Sequence, residues 1–121
     1  MEAVKERMRL RDKVINEAAK WAKGLQFPAT VIVIGSYARG DFNLWSDVDV
    51  LLIADFRGNP LERLKSLDFP AGFEVIPLTR SEFLRLLEKK NVLAIEALNG
   101  IILRDDLGLK ELMKRLSLIH I

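Results

Sequence analysis

Two aspartates stand in the segment "SDVDVLLI", Asp47 at the mouth of an apolar run and Asp49 inside it. Alternate side chains of a strand share a face, so these carboxylates lie on one side with Cα atoms roughly 6.5 Å apart. A buried carboxylate without a partner costs on the order of several kcal/mol, a large share of a small domain's net stability. Like charges this close repel, and one stays protonated unless a cation lies between them. Magnesium meets that need, since it takes hard oxygen ligands, commonly one or two carboxylates together with substrate phosphates. Two such ions about 4 Å apart can clamp the attacking and leaving oxygens of a phosphoryl displacement.

A phosphate chain needs its own cradle. Gly35-Ser36 stands ten residues (Tyr37 to Ser46) ahead of Asp47 and closes the apolar run Thr30 to Ile34. At a strand-to-helix turn a glycine permits close backbone approach, and a serine hydroxyl lies near unpaired helix N–H groups. Arg39, one turn later, adds positive charge. Taken alone, Gly35-Ser36 also reads as an ordinary turn with an N-cap serine, and Asp47 as another cap or turn residue. Asp49 has the weakest alternative, because a strand interior seldom hosts a lone aspartate.

The elements that must position these groups follow from periodicity. Residues 3–23 read as a helix with Val4, Met8, Ile15, Ala18, Ala19, Ala22 and Leu25 on one stripe, stopped at Gly24. Residues 29–34 make a first strand and "GSYARG" a short helix; residues 48–54 make a second strand. A helix starts near Pro60, and residues 72–77 form a third strand ended by Pro77. Thr79 or Ser81 caps a helix over 80–89 whose buried side is Phe83, Leu84, Leu86 and Leu87. "NVLAIEALNG" is a helix closed by Gly100, "IILR" a short strand, and residues 106–118 a last helix. Strands alternating with helices indicate an α/β or α+β fold, and the doubly apolar "VIVI" and "VLLI" call for a sheet covered on both faces.

The composition narrows the chemistry. With 121 residues, half of them hydrophobic, the chain supports one domain and one core. It has no cysteine, and its one histidine is His120, which removes thiolate chemistry, cysteine-ligated zinc and a Ser-His-Asp triad. No apolar stretch approaches the roughly 20 residues of a membrane span. The charged, amphipathic start "MEAVKERMRLRDK" is unlike a secretory signal, so a cytoplasmic protein is expected. The net charge of +2 does not argue for nucleic acid. Residues 1–24 carry seven basic side chains against four acidic ones, which reads as a solvated helix face rather than a phosphate-binding strip.

The segment "GSYARGD…SDVDVLL", with its ten-residue interval, resembles the signature of the minimal nucleotidyltransferases, of the DNA polymerase β-like nucleotidyltransferase superfamily. "GFEVIPLTRSEF" and "ALNGIILRDD" are similar to later segments of that family, so the resemblance covers nearly the whole chain. It implies a nucleotidyltransferase fold, a small mixed sheet flanked by helices, in a single domain over 1–121. Within it the N-terminal helix is 3–23, the catalytic core 29–104 and the C-terminal helix 106–118. Gly35 and Ser36, with Arg39, would bind the triphosphate, and Asp47 and Asp49 would hold magnesium. The family's third carboxylate falls at Glu74, between Phe73 and Val75, where a charge is as odd for packing as at Asp49. Glu74 would complete one metal site and help deprotonate the attacking hydroxyl. The family often has aspartate there, one methylene shorter, and a plain surface-edge role for Glu74 remains open.

By the same resemblance the activity is magnesium-dependent transfer of AMP from ATP to a hydroxyl acceptor, with pyrophosphate leaving. The acceptor would be a separate HEPN-domain protein, with this chain as the antitoxin of a toxin–antitoxin pair. Two other readings stay open: a non-catalytic nucleotide-binding subunit that acts by docking, and a small-molecule adenylyltransferase similar to the aminoglycoside-modifying enzymes. Trp45 and Tyr37 could stack on a base, though packing beside the site is expected for Trp45. Asp41 and Asp55 read as turn residues, Asp105-Asp106 as a cap on the last helix, His120 as a solvated end residue, and the tail "LSLIHI" as docked on the core.

Overall fold

The computed structural model describes residues 1–119, with side chains as far as Leu116. The elements in chain order are α1 (Glu2–Lys23), β1 (Ala29–Ile34), α2 (Gly35–Arg39), β2 (Val48–Ala54), α3 (Pro60–Lys65), β3 (Phe73–Leu78), α4 (Arg80–Glu88), α5 (Val92–Leu98), β4 (Ile101–Asp105) and α6 (Leu109–Ile119). The four strands form one mixed sheet in the order β3-β2-β1-β4. The central pair β1–β2 is antiparallel, β4 is antiparallel to β1, and β3 is parallel to β2.

The central strands are apolar on both faces because both faces are covered. Val31 and Val33 of β1, with Val50 and Leu52 of β2, pack against Ala18 and Ala22 of α1. Their neighbours Ile32, Ile34, Leu51 and Ile53 point the other way, onto Phe83 and Leu87 of α4, Ala94 and Ala97 of α5, and Leu109 and Met113 of α6. Each large aliphatic side chain buried in this way stabilises the fold by about 1.5–3 kcal/mol relative to exposure. No helix among the described residues is long and apolar enough to cross a membrane.

Helix starts follow the local chemistry. Asn59 caps α3 ahead of Pro60, Asn91 caps α5, and Thr79 forms a reciprocal capping box with Glu82 on α4. Glu82 also meets the buried Arg63 at 2.6 Å, while Arg63 donates to the carbonyls of Gly58 and Pro77, both at 3.0 Å. At the opposite edge of the sheet Arg104 donates to the Ala22, Leu25 and Phe27 carbonyls, closing the C-terminus of α1 against β4.

Several expectations need correction. Pro77 does not end β3 but lies inside it, paired with Leu52. β3 is an edge strand, where a missing N–H is tolerated. The last helix begins at Leu109 rather than 106, because Asp105 is still in β4 and caps from there, accepting from the Leu109 and Lys110 N–H groups. Asp106 does not cap; it accepts from the Ala29 N–H and from Arg104. The apolar stripe of α1 is buried only in its second half, with Val4 57% and Met8 61% exposed. A 22-residue helix is about 33 Å long and a six-residue strand about 20 Å, so the first turns of α1 overhang the sheet. Trp45 does not pack beside the site: it is 91% exposed. Leu116 packs on the core, and the rest of the tail, His120 included, lies outside the described side chains.

Candidate active site

Topology brings the distant sequence segments together. Because β1 and β2 are antiparallel, the end of β1 lies beside the start of β2, and Ile34 pairs with Asp49. Because β3 runs parallel to β2, its start lies there too, and Asp49 pairs with Glu74. Neighbours in register point to the same face and sit about 4.8 Å apart across the strands. Asp49 and Glu74 therefore head the face that continues with Leu51, Ile53 and Ile76, the face under α4, α5 and α6. Asp47 lies just outside β2 and is exposed, as is Glu74, while Asp49 is half-buried.

The turn after β1 closes on the same point. Gly35 has φ +71°, a left-handed conformation, and a Cβ built on it would overlap the Oδ2 of Asp49. Glycine at this position avoids both the strain of that backbone conformation and the overlap with the carboxylate. The N-cap position of α2 is Ile34, without any side-chain cap bond, so the Ser36 hydroxyl is not used as a cap. The Ser36 carbonyl accepts from the Gly40 and Asp41 N–H groups at 2.8 and 3.1 Å and finishes the turn. From α1, Arg11 donates to the carbonyls of Tyr37 and Ala38, both at 2.8 Å, and pins α2 in place.

The loop from Phe42 to Ser46 is tied by its own polar groups. Asn43 accepts from the Trp45 N–H through its side chain, and the Asn43 N–H donates to the Ser46 hydroxyl. Asp47 takes no part in that turn. Tyr37 is buried and stacks on Phe42, ring centroids 4.3 Å apart, so its face is already occupied. Arg39 is engaged by two carboxylates, its Nε donating to Asp41 at 3.2 Å and one Nη to Glu96 of α5.

The cluster is electrostatically uneasy. Asp49 is pushed up to about 6, first by its burial, then by Glu74, with smaller contributions from Asp47 and Glu96. Among the described residues none of Asp47, Asp49 and Glu74 forms an ion pair. Nor do any three acidic or histidine side chains among them converge tightly enough to enclose a metal as they stand. The donor chemistry nevertheless fits a hard divalent cation: oxygen ligands only, negative, adjacent and without a cationic partner of their own. One cleft of about 560 Å³, lined by Phe27, Asp55, Phe56 and Arg57 among others, opens at the opposite end of β1 and β2.

Glu96 escaped the reading of the sequence. Its signal was there, a single acid in the otherwise apolar helix "VLAIEAL". Arg11 left no comparable trace, being one of many basic residues on α1.

A family model described as "Nucleotidyltransferase domain" matches residues 12–117. Among solved structures, the chain is similar to a crystal structure from Sulfolobus solfataricus whose own assignment as a nucleotidyltransferase is provisional. That likeness has 22% identity and a TM-score of 0.51, covering 70% of this chain and 80% of that one. At this identity the likeness speaks for the fold, a mixed four-stranded sheet with flanking helices. No curated protein matches the chain.

Proposed function

The chain belongs to the nucleotidyltransferase domain family, and from that premise we propose that it transfers AMP from ATP to a protein hydroxyl with the help of magnesium. The observation that carries the reading is the contact of Gly35 with Asp49, which sets the glycine-serine turn directly against the carboxylates. Gly35 and Ser36, with Arg39, receive the triphosphate; Asp47 and Asp49, joined by Glu74, hold the metal. When bound, the cation neutralises the carboxylates and the phosphate oxygens and stabilises the charge that develops on the leaving pyrophosphate. Glu74, exposed at the start of an edge strand, has room to accept the proton of an incoming hydroxyl. The whole of 1–121 is read as one minimal nucleotidyltransferase domain, working in the cytoplasm where ATP is available.

The acceptor in this reading is a HEPN-domain protein, and the chain acts as its antitoxin. Support comes from the openness of the site: Asp47 and Glu74 lie at the surface, where a large acceptor can reach them. The test is incubation with labelled ATP and magnesium, with and without the product of the neighbouring gene. Label on that product, absent with the Asp47→Asn/Asp49→Asn double variant, is the expected result. No transfer to any acceptor would sink the enzyme reading.

A second reading, a nucleotide-binding antitoxin that acts by docking alone, draws on the splay of the three carboxylates. It requires that the double aspartate variant still neutralise the partner.

A further inference from the structure

Arg39 ends a five-residue helix and is half exposed, a setting in which an arginine side chain ordinarily samples many rotamers. Here it is held at two points. Asp41, two residues on, moves with the same turn and fixes nothing beyond it. Glu96 is different, because it reaches Arg39 from α5, 57 residues later in the chain.

α5 is itself a rigid mount. Asn91 caps its start. At its end, a Cβ built on Gly100 would collide with the Val33 carbonyl and the Ile32 side chain, so the chain leaving α5 rests directly on β1. Ala94 and Ala97 are buried against that strand, which leaves Glu96 at the margin of α5 on the carboxylate side of the sheet. Glu96 is only 30% exposed, less than Arg39. The contacts with Asp41 and Glu96 use two N–H groups of the guanidinium, leaving three of its five donors for an anion.

We propose that Glu96 is a positioning residue for Arg39, holding the guanidinium beside the Gly35-Ser36 turn so that the triphosphate of the donor meets a preset cation. The inference rests on the nucleotidyltransferase reading above and adds to it the residue that orders the arginine before nucleotide arrives. Preorganisation of this kind removes the cost of freezing a long side chain at the moment of binding.

The test is calorimetric titration of ATP with magnesium chloride into the wild type, Glu96→Ala, Glu96→Gln, Arg39→Ala and the Arg39→Ala/Glu96→Ala double variant, with melting temperatures beside it. Glu96→Ala is expected to weaken ATP binding about fivefold, the scale of one charge-assisted contact at a partly exposed site. Glu96→Gln, which keeps an acceptor oxygen, should recover most of that loss. The double variant should bind no more weakly than Arg39→Ala, because Glu96 acts only through Arg39. A lower melting temperature with unchanged ATP affinity would assign Glu96 to fastening α5 to α2 and overturn the proposal. Losses that add fully in the double variant would overturn it as well. If the wild type binds no nucleoside triphosphate, the functional reading falls and takes this role with it, whereas ATP binding indifferent to Glu96 removes this role alone.

Discussion

Gly35 has no room for a side chain because the carboxylate of Asp49 occupies the space its Cβ would take. Two residues 14 positions apart in the chain thereby join the phosphate turn to the acidic strand. The contact exists because antiparallel pairing sets Ile34, just before the turn, opposite Asp49.

Gly35→Ala should cost about 1–3 kcal/mol, from the left-handed backbone and the overlap together. Asp49→Ala vacates the contested space, so the double variant should regain the overlap part and keep the backbone part. Urea unfolding of the four proteins measures this. Additive losses would show that the two residues do not compete for one volume.

Asp49→Asn should stabilise the protein in the absence of divalent cations. At pH 8 the charged aspartate is half-buried beside Glu74 with no cation to offset it, and asparagine removes that repulsion. The expected gain is on the order of 1 kcal/mol, or about 3–5 °C in melting temperature. Magnesium should raise the melting temperature of the wild type but not of the variant. A variant that melts below the metal-free wild type contradicts the account.

Glu74→Gln should leave ATP affinity within about threefold while lowering kcat by about a hundredfold or more, the scale of a lost general base. Steady-state transfer rates beside equilibrium ATP binding separate the two. Equal losses in both would move Glu74 from proton transfer to nucleotide binding.

Glu82 ties stability to acid pH. Its carboxyl is lowered to about 2, first by the Arg63 guanidinium and then by the Thr79 backbone N–H. A carboxylate with a depressed folded-state value stabilises the fold above its ordinary value of 4.5, and that contribution fades as pH falls toward 2. The stability gap between wild type and Glu82→Gln should therefore be widest at pH 7 and narrow steadily from pH 4.5 downward. Partial exposure of Glu82 keeps the gap modest. Denaturant midpoints at pH 7, 5 and 3 report it, and a gap independent of pH would rule out the Arg63 pair as its source.

Trp45→Ala should change stability by no more than about 0.5 kcal/mol, since the indole makes little burial. Thermal melting checks this directly; a loss of several degrees would place the side chain in the core after all.

The sequence by itself determined the local elements, because hydrophobic period, caps and glycines act over a few residues. The bounds of β1 and β2 match those expected from "ATVIVI" and "VDVLLIA", and Thr79 caps α4 as one of the two candidates considered. The place of Asp49 inside an apolar strand was likewise legible, since the run "VDVLLIA" reads from its own residues. Pro77 inside a strand was not, because a proline is tolerated there only where the strand is an edge, and edges are a property of the sheet. The same limit explains Val4, Met8 and Trp45: an apolar residue is buried only if something faces it, and that partner comes from elsewhere in the chain. Tertiary structure alone decided that β3 runs parallel beside β2, which sets Glu74 next to Asp49, and that α5 brings Glu96 to Arg39. Those meetings follow from burying two sheet faces at once, a demand that the whole chain must satisfy together.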